Sequence, residues 1–212
     1  MKQLISKINK IKRTEIKNTI KKRLKQFKSF QQRTTKAWFA ELCFCLLTAN
    51  SKALTALQIQ KELGIRGFCC ATKSKIKNTI IKNKHRFHNN KTKYIIEARK
   101  FINIKKVIKK IIKENNESSA RQWLAENIKG LGYKEASHFL RNIGYNNLAI
   151  VDRHILNILL ENNIIKQKPK TITKKLYLEI ENKLDKLSKQ LKMSQAELDL
   201  YLWYLKTGKV LK

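Results

Sequence analysis

Acidic residues are scarce in this chain. Only 15 Asp and Glu stand against 48 Lys and Arg in 212 residues, a formal net charge of +33. That imbalance argues against a protein indifferent to polyanions and suggests nucleic acid or an anionic membrane surface as partner. Part of the excess follows from codon usage, because AT-rich codons inflate lysine, asparagine and isoleucine together. No apolar stretch reaches the roughly 18 residues a membrane span needs. The N-terminus also lacks an apolar signal core, so a soluble, intracellular protein is expected. Proline occurs once and glycine six times, which leaves little to interrupt helices. Strand-like alternation is absent over any useful length. Cysteine occurs four times, as Cys43, Cys45, Cys69 and Cys70, and neither pair has the two-residue gap of a zinc knuckle or cluster ligand set. The four read as structural or incidental thiols in a reducing compartment, with no metal site and no cofactor expected.

What remains is Lys, Glu, Leu and Ile at helical spacing, which reads as an all-α protein. The segment up to Arg33 is basic, with an apolar stripe through Leu4, Ile8, Ile20, Leu24 and Phe27. It fits a solvated helix with one packed face, a membrane-surface helix being the alternative. Ala37 to Ala49 (AWFAELCFCLLTA) is apolar almost all round, as a buried central helix is. Leu54 to Leu63 is expected to stop at Gly64, and another helix to run near Thr72 to Lys82. A polar turn in HRFHNNKTKYIIEARKF then precedes a helix running through about Lys113. Ser118 and Ser119 can cap the next helix, which ends at Lys129 before Gly130. Asp152 starts a further helix, Pro169 marks a linker, Thr173 starts a long helix, and Ser194 with Glu197 fits a capping box for the last one.

The stretch IKGLGYKEASHFLRNIGYNNLAIVDRH carries the chemistry. Two helices joined by Gly130-Leu131-Gly132 need a tight turn with positive φ, which glycine adopts at least cost. The glycines leave backbone N–H groups uncovered, and those at the start of the second helix, at Tyr133, suit a phosphate. Such a hairpin grips DNA without reading its sequence. Lys134 falls in the first turn of that second helix. There the helix dipole and the surrounding cations oppose its charge, which is expected to ease deprotonation to a nucleophilic amine. A basic residue contacting phosphate is the plainer alternative. If the second helix runs to about Ile143 it carries the chain roughly 15 Å forward. After the Gly144 turn, an extended Leu148 to Val151 returns it by about 13 Å, which brings Asp152 back to the level of Lys134. As an N-cap, Asp152 still offers a negative charge to a developing cation, without direct contact to the lysine.

These residues resemble the helix-hairpin-helix DNA glycosylases. GYKEASHFLRN and AIVDRHIL, together with ELCFCLLTANSKA, RFHNNKTKYIIEAR and the C-terminal TGK stretch, look like the 8-oxoguanine DNA glycosylase/AP lyases of the type 2 class, found in archaea and some bacteria. The cysteines that hold an iron–sulfur cluster in endonuclease III relatives are missing here, as they are in that class. The resemblance implies a two-lobed all-α fold with the active site in the cleft between lobes. One lobe would comprise residues 34–145, and the other 1–33 plus 146–212. It implies Lys134 as the attacking lysine and Asp152 as the second catalytic residue. A flipped base needs flat side chains around it, and the resemblance points to Phe87 and Trp203 for the sandwich and to Lys212 for telling 8-oxoguanine from guanine. Core packing is the alternative role for both aromatics. Gly130, Leu131, Gly132 and Tyr133 would hold the DNA backbone. His154 either joins them at a phosphate or packs, and His138 faces either the hairpin or the core. The implied partner is double-stranded DNA containing oxidised guanine, bound by a monomer in the prokaryotic cytoplasm, at the nucleoid. A relative acting on another oxidised base, or a non-catalytic DNA-binding module, are the alternatives.

Overall fold

The computed structural model describes residues 1–210, and among them there are helices and connecting turns but no strand. The helices are α1 (Lys2–Ile11), α2 (Ile16–Phe30), α3 (Thr35–Thr48), α4 (Ala53–Cys70), α5 (Lys73–Lys82), α6 (His88–Ala98), α7 (Ile104–Glu114), α8 (Glu117–Asn127), α9 (Tyr133–Asn142), α10 (Arg153–Glu161), α11 (Lys174–Gln190) and α12 (Gln195–Thr207). They form two compact units. One is Met1–Gln31 with Leu140–Lys212, the other Gln32–Phe139, and the chain passes from the second back to the first within α9.

In the Gln32–Phe139 unit, α3 is the core. Thr34 caps its start by accepting from Ala37 N–H, and every residue from Ala37 to Thr48 is buried. α4, α6 and α7 pack around it, and Trp38 meets Phe139 edge-on at 6.4 Å between ring centroids. A helix buried on all sides cannot solvate its last carbonyls, so side chains must reach them. Lys91 Nζ donates to Leu46 O at 2.6 Å, His85 Nε2 donates to Leu47 O at 2.9 Å, and Thr48 Oγ1 donates to Cys45 O at 2.8 Å. Gly64 breaks α4 as expected, with φ +60° and ψ −174°, but the chain resumes helical turns to Cys70.

Three expected boundaries move. The basic N-terminal segment is two helices, because Thr14 Oγ1 donates back to Ile11 O at 2.8 Å and tightens the end of α1. The helix expected to run through Lys113 is interrupted by a 3₁₀ turn at Arg99–Phe101. Its cause is tertiary. Arg99 reaches the carbonyls of Phe68 at 3.0 Å and Ala71 at 2.6 Å at the end of α4, and Phe101 packs edge-on with Trp123. Asn116, not Ser118 or Ser119, caps α8, accepting from Ser119 N–H at 2.9 Å; the helix ends at Asn127.

In the unit formed by both chain ends, α12 packs against α1, α2, α10 and α11. Ser194 caps α12 through Glu197 N–H, and Gly208 closes it with φ +68°. Arg141 and Asp199 form a buried ion pair there, with the guanidinium also over the Phe27 ring at 4.9 Å. Both side chains are under a tenth exposed, so truncating one strands a buried charge. Asp199→Ala is expected to lower unfolding free energy by about 3–5 kcal/mol, read from denaturant melts.

Candidate active site

The hairpin between α8 and α9 is built on a buried leucine between two exposed glycines. Leu131 is 4% exposed and anchors the turn, and its N–H bonds Ile128 O at 3.0 Å. Gly130 has φ +86°, and a Cβ there would sit 2.2 Å from the Tyr94 ring of α6, so both backbone and space demand glycine. Gly132 has no positive φ, and a Cβ on it would meet only Glu135 Oε2 at 3.4 Å. Positive φ is thus needed at one glycine of the pair, not both. Ala136 N–H bonds Gly132 O at 2.9 Å, which makes Gly132 the N-cap of α9. Under this first turn, the buried Arg121 of α8 lies over the Tyr133 ring at 4.9 Å and donates to Ser137 Oγ at 3.4 Å, tying the two hairpin helices together.

Lys134 is the second residue of α9, its side chain 26% exposed, and its Nζ lies 3.5 Å from Glu135 Oε1. The expected surroundings of cations are therefore corrected by a carboxylate. Adjacent helix residues do not normally face each other. At the third position of a helix, however, a glutamate folds back toward the N-cap, and Glu135 lies over Gly132 and beside Lys134. Lys91 completes the group. It is 5% exposed, and burial pushes its ammonium down to about 8, with Glu135 opposing and Lys134 adding to that shift. His138, one turn beyond Lys134, faces the core, its ring edge-on to Phe44 at 5.7 Å.

Phe87 precedes α6, one turn ahead of Lys91, and is 37% exposed. Its N–H donates to His85 Nδ1 at 3.3 Å while His85 Nε2 donates to Leu47 O. That pattern needs the neutral ring protonated at Nε2, and burial indeed pushes His85 below its ordinary value. The Arg86 guanidinium lies over the Phe87 ring at 4.6 Å.

In the unit of the chain ends, Asp152 is the N-cap of α10. Its Oδ1 accepts from Ile155 N–H at 2.8 Å, and its second oxygen has no bond among the described residues. His154 packs against Trp203 at 4.9 Å between centroids, nearly perpendicular. The Trp203 indole N–H is buried without a hydrogen-bond partner among the described residues. The structure thus groups Asp152, His154 and Trp203 in this unit, and the hairpin, Lys134 and Phe87 in the other. Lys212 lies outside the described residues. Lys91, Tyr94, Arg121 and Glu135 were not singled out from sequence. The one sequence signal for them is a glutamate at the third helical position past Gly132, where Glu side chains commonly fold back to the helix start.

The comparisons with known proteins agree with one another. The family model described as 8-oxoguanine DNA glycosylase matches residues 20–193. The 8-oxoguanine DNA glycosylase/AP lyase of Methanocaldococcus jannaschii is 49% identical over 209 residues, 99% of both chains. Its counterpart in Korarchaeum cryptofilum is 41% identical over 209 residues, covering 99% of this chain and 98% of the relative. The crystal structure of the M. jannaschii 8-oxoguanine glycosylase/lyase in complex with a 15mer DNA containing 8-oxoguanine superimposes with a TM-score of 0.95. It is 48% identical and covers 99% of this chain and 100% of that one.

The Gly130 geometry is open to a direct check. Gly130→Ala is expected to cost more than about 2 kcal/mol, since positive φ alone costs about 1–2 kcal/mol and the Tyr94 contact adds to it. In a double-mutant cycle with Tyr94→Ala, denaturant unfolding should return a favourable coupling as the clash is removed. Additive losses would deny the contact.

Proposed function

The chain belongs to the 8-oxoguanine DNA glycosylase family, and from that premise we propose that it excises 8-oxoguanine from duplex DNA and then cleaves the strand as an AP lyase, through an imine formed at Lys134. The observation that carries the proposal is the placement of Lys134. A partly exposed amine stands in the first turn of α9, directly after the glycine hairpin.

The DNA backbone is held by the hairpin residues Gly130, Leu131, Gly132 and Tyr133, whose amides and helix dipole favour a phosphate. The damaged nucleotide leaves the stack, since no side chain reaches C1′ within the duplex. Phe87 and Trp203 each offer a flat face for stacking on the flipped base. Trp203 is braced by His154, which also lies near enough to the start of α10 to meet a phosphate. Lys212 discriminates the oxidised base from guanine.

The neutral Lys134 amine attacks C1′ as the C1′–N9 bond breaks and the base departs with that electron pair. The free carboxylate oxygen of Asp152 stabilises the positive charge that develops on the sugar. Opening of the sugar ring yields the imine. Loss of a C2′ proton then expels the 3′ phosphate by β-elimination. The enzyme acts as a monomer on nucleoid DNA in a prokaryotic cytoplasm. No described helix is long and apolar enough to cross a membrane.

With 8-oxoguanine duplex and borohydride, Lys134→Gln is expected to give no trapped adduct while retaining duplex affinity; an adduct that persists rejects Lys134 as nucleophile. Asp152→Asn should slow single-turnover base release by about 100-fold or more with little change in affinity. Equal losses in rate and affinity would reduce Asp152 to a helix cap.

A further inference from the structure

A dense block of charge lies outside the residues to which the reaction above gives a part. Met1–Gln31 holds 11 of the chain's 48 Lys and Arg but only one of its 15 Asp and Glu, Glu15. Codon usage raises lysine along the whole chain, but it does not sort lysines onto one side of a helix. On α2, Lys17, Lys21, Lys25 and Lys28 follow one another by a turn or slightly less, and all four are exposed. At 3.6 residues per turn they fall within an arc of about 80° and span about 16 Å. None of the four makes an ion pair or a side-chain hydrogen bond among the described residues. Glu15 is engaged elsewhere, accepting from Asn18 Nδ2 at 3.0 Å. Like charges one turn apart destabilise a helix, so this row is a cost that packing does not ask for. The opposite side of the helices is already used. Leu4 and Ile8 of α1 and Ile20 and Phe27 of α2 are each at most 4% exposed, and both helices pack on α12. A helix lying in a membrane surface must sink an apolar face into lipid, and these two have spent theirs on the core. What they present to solvent is a row of ammonium groups suited to a polyanion. A duplex carries one negative charge per about 1.7 Å of its axis, so about ten pass along 16 Å.

We propose that the α2 row of Lys17, Lys21, Lys25 and Lys28 is a second DNA contact, gripping the phosphate backbone of duplex DNA independently of the lesion and of base sequence. The inference rests on the reading of the chain as a DNA glycosylase, which makes duplex DNA the polyanion it meets. Contacts of this kind release counterions and carry no sequence information. The row adds affinity for undamaged DNA while the chemistry stays with Lys134 and Asp152. Lys12 and Arg23 take no part in it, since Lys12 Nζ donates to Leu191 O at 3.2 Å and Arg23 Nη1 to Gln26 Oε1 at 2.8 Å.

The test compares two variants that lose the same charge. One carries Lys17→Gln, Lys21→Gln, Lys25→Gln and Lys28→Gln. The other carries Lys175→Gln, Lys183→Gln, Lys186→Gln and Lys189→Gln, exposed lysines of α11 that lie among Glu179, Glu181 and Asp185. Fluorescence anisotropy with an undamaged duplex several helical turns long gives the slope of log affinity against log salt. Each lost phosphate contact lowers that slope by about 0.9, so the α2 variant is expected to fall by about three and the α11 variant by less than about one. Single-turnover excision of 8-oxoguanine at saturating protein should be unchanged in both. The α2 variant should also melt no lower than the unsubstituted protein, because like-charge pairs are relieved. An α2 slope that falls by less than about one, or an equal fall in the α11 variant, overturns the inference. A loss of the saturated excision rate in the α2 variant alone also overturns it, by placing the row in the active site. Binding of the unsubstituted protein to phosphatidylserine vesicles that the α2 variant loses, with the salt slope intact, assigns the row to a membrane and overturns it too. If the fourfold variant fails to fold, Lys21→Gln with Lys25→Gln decides: a fall of about two supports the inference, and an unchanged slope overturns it. The slopes need no excision, so a protein that gives the expected slopes but releases no base rejects the function proposed above and leaves the DNA contact standing.

Discussion

A helix buried on every side must have its last carbonyls met by other parts of the chain, and in the Gln32–Phe139 unit that need organises the candidate site. α3 takes donors from one short segment, His85 to Lys91. Those bonds fix the turn before α6 and hold Phe87 through His85. They also fix α6 itself, whose next turn carries Tyr94 against Gly130. With Gly130 confined to positive φ and Leu131 buried, the start of α9 has one course available, and Lys134 follows from it. The position of Lys134 thus descends from the solvation problem of a buried helix. Unsatisfied buried carbonyls would cost about 1–3 kcal/mol each, which is why this scaffold is not free to drift.

The unit of the chain ends fixes Asp152 by bonds on both sides of it. Asp152 spends one oxygen on the α10 cap and keeps the other. Residues 149–151, which lead into it, are pinned from α11, where Glu181 accepts from Ala149 N–H and the Tyr177 hydroxyl bonds both Ala149 O and Val151 N–H. α12, secured by the Arg141–Asp199 pair and the Ser194 cap, presents Trp203 to His154. Cap, carboxylate and aromatic are thereby fixed by bonds within one unit.

Much of this was legible in the chain because the signals were local. Asp152, Thr173 and Ser194 cap the helices they precede, as their spacing from the apolar periods indicates. The all-round apolar α3 reads directly as a buried helix. What could not be read is carried by contacts distant in sequence. The 3₁₀ break at Arg99 depends on carbonyls of α4, and the glycine at 130 on a tyrosine of α6. Lys91 was hidden among many lysines in a chain of 48 basic residues. Its meaning appears only when burial singles it out. Glu135 pairs with Lys134, which sets a carboxylate among the cations expected there.

The account turns on which of two neighbouring lysines carries the sugar. The adduct formed with 8-oxoguanine duplex can be reduced, digested, and mapped by tandem mass spectrometry. The deoxyribose-derived mass is predicted on Lys134 alone. Its appearance on Lys91, or spread over several surface lysines, would contradict the account at its centre.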